Sequence, residues 1–509
     1  VTQDDGKTWK NVVGNVIKST GLAANAWVPS IEASHFDAGT AYVAVDRHQD
    51  DDFAPYAFKT TDFGQTWTAI KGNLPAKGYV HVVREHPKNR NLLFLGTEQG
   101  IYASWDGGTR WSSIRNNLPP VAVRDIKIHP RDNDLIIGTH SRGAWIMDDI
   151  GPLEQLAQAL PSDAHVFDIR TAVRTSPWGR DSNLGNRVFQ AQNPPLGAYI
   201  TYYFKAAPQG DVTITIADKA GRTIRTIRNV PKEPGVNRYV WNLRFDSPPP
   251  NAGPSGSGAA GAQRGASGRQ AALANPFAGM TEEEAAAAMA RFGRFAGGPA
   301  VLPGEYQVTL NAGGKLLTKP VTVMLDPRIK VTEAELTEQL NTLNSLRDVG
   351  QRMTAAIERV DDLTRQLTTV QERFRSTGHR MTTSPAFEGD QGAGSGGPNQ
   401  QPAPAPSSDT AALITKALDQ LKAYKLDYTR ECTMNYRCPS KLREQIQSLS
   451  GEINRFIGAP TEGQTLRVRE VTDETEQAIT RLTGLISGPI AEINTALSAT
   501  PHIVAEPVK

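Results

Sequence analysis

Along the first 150 residues the apolar side chains come in short runs, such as LLFLGT at 92–97, GIYAS at 100–104 and VRDIKIH at 123–129, separated by Gly, Asn and Asp. That spacing predicts short antiparallel strands joined by hairpins. The pattern continues in NPPLGAYITYYFKA, DVTITIADKAGRTIRTI and NRYVWNLRFD, and again in LPGEYQVTLNAGGKLLTKPVTVMLDPR at 302–328. DKAG reads as a hairpin turn, and Trp241 as the anchor of a second β core. Between these stretches, PLEQLAQAL predicts a short helix and VFDIRTAVRTSPWG an extended connector. From Thr332 the period becomes helical. Thr332 and Glu335 form a capping box, and Leu336, Leu340, Leu343, Leu346, Val349, Met353, Ile357, Val360, Leu363 and Leu367 follow at steps of three or four. Further helical pieces are expected at 409–427, 440–457 and 465–498, the last interrupted by Pro489, with their apolar stripes packed together or used between chains.

Two phrases repeat. HPKNRNLLFLGT at 86–97 and HPRDNDLIIGT at 129–139 place their histidines 43 residues apart, with a weaker copy, HFDAGTAYVAV, from His35. The interval from His35 to His86 is 51, which puts an insertion in the first copy, at HQDDDFAP, 48–55. That period suits a four-stranded propeller blade. The second phrase is a turn: TQDDGKTW at 2–9, TTDFGQTW at 60–67 and SWDGGTRW at 104–111. In it Thr2, Thr60 or Ser104 and Asp4, Asp62 or Asp106 can hydrogen-bond the turn's own backbone. Gly6, Gly64 or Gly108 can take a positive φ, and Trp9, Trp67 or Trp111 can pack beneath the hairpin.

On these residues the chain resembles the Asp-box, or BNR-repeat, propellers of sialidases, xyloglucanase-type glycosidases and sortilins. GTHSRGAWIMDDIGPLEQL at 138–156 resembles the propeller end of large bacterial proteins labelled sortilin-like or glycosyl hydrolases. The resemblance implies a mainly β fold: residues 1–150 as the last blades of an Asp-box β-propeller, 151–186 as helix and connector, and 187–328 as an Ig-like β-sandwich. Residues 329–509 are expected from their own helical period to follow as a helical bundle or coiled coil. The resemblance also implies that the Asp boxes lie away from the ligand face. The cysteine-rich modules of animal sortilins and the Arg triad, Tyr and Glu of sialidases are not found. Two segments, 248–300 and 386–408, are low in complexity and read as an insertion in the sandwich and a linker between helices.

Composition narrows the function. With 55 basic and 53 acidic residues the net charge is +2, which gives no reason to expect nucleic acid as partner. No apolar run approaches the roughly 20 residues of a membrane span. The chain opens inside a repeat, so a longer parent with its own export signal is expected. Cys432 and Cys438 suit a local disulfide or two free thiols better than a metal site. No metal or cofactor is otherwise expected, calcium being the one candidate.

Three clusters carry possible chemistry. Asp50, Asp51 and Asp52 can offer oxygens to calcium or a catalytic carboxylate, with Asp51 and Asp52 the candidates, or form a solvated acidic loop. His140 and Arg142 can bind a ligand, and Asp148 and Asp149 offer a second carboxylate pair; a blade turn and structural aspartates explain the same letters. His86 and His129 occupy one repeat position and read as strand-end packing. Two functions stay open: a secreted, periplasmic or cell-surface propeller that binds a peptide, protein or polysaccharide, and a xyloglucanase-type glycoside hydrolase. In either, the C-terminal helices offer a surface for homo-oligomers.

Overall fold

A computed structural model of the chain describes residues 1–175, 193–228, 230–246, 298–380, 408–430, 439–497 and 503, with only the backbone of 374–380 and 408. Cys432, Cys438 and nearly all of 248–300 and 386–408 lie outside these residues. The described residues fall into two compact units. One spans 1–173, 181–242 and 305–323, and the other takes 174–180, 243–304 and 324–509.

The first unit begins with a short helix α1 (Val13–Thr20) and three antiparallel sheets in chain order. The first holds β1 (Trp27–Ala33), β2 (Ala41–Arg47), β3 (Asp52–Thr60) and β4 (Thr68–Ala69). The second holds β5 (Val80–His86), β6 (Asn89–Thr97), β7 (Gly100–Ser104) and β8 (Ser112–Ser113). β9 (Val123–Ile128), β10 (Leu135–Thr139) and β11 (Ala144–Met147) form the third. Each sheet runs strand to neighbouring strand, so the sequence repeat is one meander, and the first strands β1, β5 and β9 lie beside one another. The run LLFL in β6 is buried on both faces, which explains why it does not alternate. Leu93 and Leu95 pack with Tyr42, Ala44 and Ala57 of the first sheet, while Leu92 and Phe94 pack with Val123, Ile126, Leu135 and Ile137 of the third.

The repeated turn closes on itself. In its second copy Asp62 Oδ1 accepts from Thr66 N at 2.9 Å and from the Thr60 hydroxyl at 2.8 Å, Asp62 Oδ2 accepts from the Thr66 hydroxyl at 2.6 Å, and Gly64 N donates to Thr60 Oγ1 at 3.0 Å. The first copy repeats this set around Asp4, and Asp106 keeps the Ser104 and Arg110 N contacts. Gly64 needs its positive φ of 80°, and Gly108 its 97°, where a Cβ would come within 2.8 Å of Ile70. The turn also reaches the neighbouring repeat. Asn73, six residues beyond Trp67, donates to Trp111 O at 3.0 Å and accepts from Trp111 N at 2.6 Å, and Trp111 Nε1 donates to Ile70 O at 2.7 Å. Asn15 stands at the same offset from Trp9 and donates to Gly64 O at 3.1 Å. Trp111 is buried whereas Trp9 is exposed, so the turn's hydrogen bonds form whether or not the indole is covered.

Helix α2 (Gly151–Ala159) follows, held by Trp105 Nε1 to Leu153 O at 2.7 Å and by Asn133 Nδ2 to Glu154 Oε1 at 2.6 Å. Two further sheets complete this part of the chain. β12 (Ala164–Val166), β14 (Ala198–Phe204) and β17 (Gly235–Trp241) form the order β12-β14-β17. β13 (Ala172–Arg174), β15 (Val212–Asp218), β16 (Thr223–Arg228), β18 (Gly304–Ala312) and β19 (Lys315–Leu325) form β13-β19-β18-β15-β16. The expected connector therefore supplies two strands, β12 and β13. Trp241 is fully buried and meets Tyr306 of the other sheet edge-on at 5.5 Å.

The second unit is mainly helical: α3 (Glu333–Arg380), α4 (Ser408–Tyr428), α5 (Leu442–Arg455), α6 (Glu462–Leu485) and α7 (Ala491–Leu497). The capping box is present, with Thr332 N donating to Glu335 Oε2 at 2.7 Å and Glu335 N to Thr332 Oγ1 at 3.3 Å. Between α6 and α7 the turn Ile486–Ile490 widens to π geometry around Pro489, which has no N–H to give. Every residue of the α3 stripe except Leu340 is buried, and from Leu343 onward it packs with Ile414, Leu421, Ile446, Leu449, Val471 and Leu482 of the same chain. Among the described residues no helix is long and apolar enough to cross a membrane.

Two outcomes follow from this packing. Leu363→Ala, at a fully buried position, should lower the stability of the helical unit by about 2–5 kcal/mol, read from urea unfolding followed at the helical circular-dichroism band, with Leu363→Met costing under about 1.5 kcal/mol. The hydrogen bonds from Thr66 hold the Asp62 carboxyl down at about 2. A depressed carboxyl stabilises the fold above its unfolded value and loses that contribution as pH falls toward about 2. Asp62→Ala should therefore lower Tm at pH near 7, and the gap to wild type should narrow as the pH is taken below about 4.

Candidate functional site

In each meander the connection from second to third strand and the start of the first strand lie at one end, and in the first two sheets the repeated turn, joining third to fourth strand, lies at the other. The end opposite the turns carries the β2–β3 loop, the β6–β7 and β10–β11 connections, and the beginnings of β5 and β9. Three successive sheets bring charged and aromatic side chains together there.

His48 opens a single 3-10 turn, His48–Asp50, at the end of β2. Asp46, almost fully buried, accepts from His48 N at 2.9 Å and stands 2.7 Å from His48 Nδ1. A carboxylate accepts, so Nδ1 carries the proton, and in the neutral ring Nε2 is left as an acceptor at a position about one-third exposed. The His48 ring stacks on Tyr79 at 4.7 Å and 17°, and Phe53, 41% exposed, tilts against Tyr79 at 6.3 Å. Tyr79 in turn meets the edge of His81 at 5.0 Å.

His81 is buried at the start of β5. Its Nε2 lies 2.9 Å from Glu98 Oε2, and its Nδ1 lies 3.3 Å from Arg124 Nη1. A guanidinium only donates, so Nδ1 accepts and Nε2–H donates to Glu98. Burial holds this imidazole below its ordinary value and Arg124 adds to that, against the opposing pull of Glu98. Burial, helped by the nearby Glu98 carboxylate, pushes the Tyr79 phenol up to about 12. Counting back from the repeated histidines His86 and His129, His81 and Arg124 occupy one repeat position.

The acidic triplet is divided by this geometry. Arg47 reaches Asp50 at 3.4 Å and Asp52 at 3.3 Å, and Tyr56 donates to Asp52 Oδ2 at 2.9 Å. Asp51 is left at the exposed tip, in a left-handed conformation with φ 60°. Among the described residues no group of three or more His, Cys, Asp and Glu side chains is placed to hold a metal ion.

His140 and Arg142 lie in the β10–β11 connection, at the same end as Glu98, and both are exposed. His140 follows a Gly-Thr pair as Glu98 does, and its N–H donates to Ala122 O at 2.9 Å. Asp148 and Asp149 are not with them: β11 runs between, and the aspartates sit beyond its far end, on the turn side. Asp149 is buried, donates its N–H to Asp134 Oδ1 at 2.9 Å and accepts from Gly151 N at 3.2 Å, a chain-bracing role. Arg238 donates to the carbonyls of Asp148 and Asp149, both at 2.9 Å. Burial, with Asp134 nearby, raises the Asp148 carboxyl above its ordinary value. The four residues grouped by sequence are thus two groups at opposite ends of one strand. His86 and His129 also serve the fold: their Nδ1 atoms accept from Lys88 N and Asp132 N, both at 3.1 Å.

The sequence pointed to Asp50, Asp51 and Asp52 of the loop 48–55 and to His140 and Arg142, and left Asp46, His48, Tyr79, His81, Glu98 and Arg124 unmarked. The repeat held a usable signal: charged and imidazole side chains recur at the starts of first strands, where a packing role calls for apolar residues.

No family model matches the chain, and no curated protein does. Solved structures overlap it locally. An ancestral GH74 enzyme is 25% identical over 23% of this chain and 14% of its own, with a TM-score of 0.19. The GH74 xyloglucanase from Xanthomonas campestris is 14% identical over 35% of this chain and 27% of its own, at 0.19. YCF48 bound to D1 peptide is 12% identical over 40% and 55%, at 0.18. The chain spans 14% to 55% of the lengths of these structures.

Proposed function

We propose that this protein is a propeller-type binding protein, acting outside the cytoplasm, whose peptide or glycan ligand sits on the sheet end opposite the repeated turns. The observation that supports it most is the cluster of His48, Phe53, Tyr79, Glu98 and Arg124, assembled from three sheets. Packing alone does not call for half-exposed aromatics beside paired charges at strand starts, whereas recognition uses such mixtures. The turn side offers less, because its carboxylates Asp4, Asp62 and Asp106 are spent on their own backbone. In this reading the helical unit is an accessory module.

A glycoside hydrolase would place two carboxyls about 5–10 Å apart across a sugar bond, one of them free to act as acid. Among the described residues of the cluster and the β2–β3 loop, Asp46 and Glu98 are each engaged by a histidine and Asp50 and Asp52 by Arg47, so exposed Asp51 has no second free carboxyl there to pair with. The binding reading is preferred for that reason.

The test is a binding screen of the full chain against peptide and polysaccharide arrays, repeated with Arg124→Ala, Phe53→Ala and, at the other end, Asp106→Ala. A ligand is expected whose affinity falls roughly tenfold or more with Arg124→Ala and is unchanged by Asp106→Ala. Binding lost with Asp106→Ala and kept with Arg124→Ala, or release of reducing ends from any polysaccharide, would overturn this reading.

A further inference from the structure

One neutral imidazole holds a guanidinium of this face. His81, buried at the start of β5, gives its Nε2 proton to Glu98 at 2.9 Å and accepts at Nδ1 from Arg124 Nη1 at 3.3 Å. Arg124 Nη2 stands 3.9 Å from the same Glu98 oxygen, so the imidazole and the carboxylate together restrain a side chain that is otherwise nearly half-exposed. This pattern has no place for a second ring proton. It would turn Nδ1 from an acceptor into a donor facing the N–H of Arg124, and would set a positive ring beside a positive guanidinium, while imidazolium and Glu98 became an ion pair. The other groups around the ring are Tyr79, which it meets edge-on at 5.0 Å, with His48 stacked beyond, and Asp46 at the end of β2, which already accepts from His48 N and faces His48 Nδ1.

Resting on the binding face proposed above, we propose that His81 is an acid-operated latch: neutral, it pins Arg124 to the sheet end; protonated, it releases Arg124 to an oxyanionic group of the ligand. Protonation removes both restraints at once, because Nδ1 no longer accepts and the charge of Glu98 is taken up by the imidazolium. The released side chain stands at the end of the third sheet, where Arg142 is also exposed in the β10–β11 connection. The first sheet's side is unsuited to an anion. Residues 46–53 carry four carboxylates, Asp46, Asp50, Asp51 and Asp52, against Arg47, and Asp51 is exposed at the tip of the loop. The oxyanion therefore lies toward the third sheet. Burial, which holds His81 below the ordinary imidazole value of about 6.5, places the opening on the acid side. The folded protein takes this proton less readily than the unfolded chain, so His81 contributes stability above about 6.5 that is lost as the pH falls through its folded value.

Two measurements test this. The first needs no ligand. Long-range proton–nitrogen NMR of the full chain should show His81 as the Nε2–H form at neutral pH and as the doubly protonated ring in acid, with a midpoint below about 6.5, and the Arg124 side-chain signals should shift with that same midpoint. His81→Gln, whose amide can donate to Glu98 and accept from Arg124 without titrating, should leave the Arg124 signals unmoved over this range. An Nδ1–H form of His81 at neutral pH, or Arg124 signals that ignore its titration, overturns the latch. The second is an NMR titration with sodium sulfate, which keeps its charge in this range, at ionic strength held constant with sodium chloride. Arg124 should respond with an affinity roughly fivefold to tenfold higher at about pH 5 than at about pH 7.5. That gain should persist in His140→Gln, which removes the other imidazole at this end of the third sheet, and vanish in His81→Gln and Arg124→Ala. Equal affinity at the two pH values, or a gain that survives His81→Gln and is lost in His140→Gln, overturns the latch but leaves the binding face standing. Sulfate and array ligands that shift only the turn end overturn both.

Discussion

The constraint on which the rest depends is the self-sufficiency of the eight-residue turn. One aspartate and one hydroxyl residue satisfy the turn's own amides, and glycine lets the backbone enter the left-handed region. The motif therefore needs no help from its surroundings, as the first copy shows with Trp9 in solvent. Once the hairpin is set locally, the asparagine that follows it can staple one sheet to the next, as Asn73 does to Trp111. A sheet held at its turn end and along its apolar faces leaves the opposite end free to carry side chains that packing does not choose.

That freedom accounts for the character of the strand-start end. His81 and Arg124 share a repeat position, yet one is buried and neutral and the other half-exposed and charged. The repeat supplies equivalent backbone, and variation of side chains on it turns a uniform scaffold into an asymmetric surface. Glu98 meets both His81 and Arg124, so a single carboxylate couples the second sheet to the third.

Much of the architecture was legible in the residues. The turn, the 43-residue step, the two-period strands and the stripe of α3 each reflect a local rule, and local rules are what one sequence records. The site was harder. Asp148 and Asp149 are close to His140 and Arg142 along the chain, but a four-residue strand carries them to the opposite end of the sheet. His48, the pair Tyr79 and His81, and Arg124 are far apart along the chain and meet only because the β2–β3 loop and the starts of β5 and β9 are brought side by side. Strands β12 and β13 were hidden for a related reason: they are three residues each and become strands only through partners elsewhere in the chain.

In the function proposed above, ligand meets the strand-start end and not the turn end. Hydrogen exchange followed by mass spectrometry, on the full chain with and without a ligand taken from the arrays, reads this directly. Slowed exchange at 46–53, 79–81, 98–100 and 122–124, with no change at 60–67 and 104–111, is the predicted result. Protection confined to the turns, or to the helical unit, would contradict it.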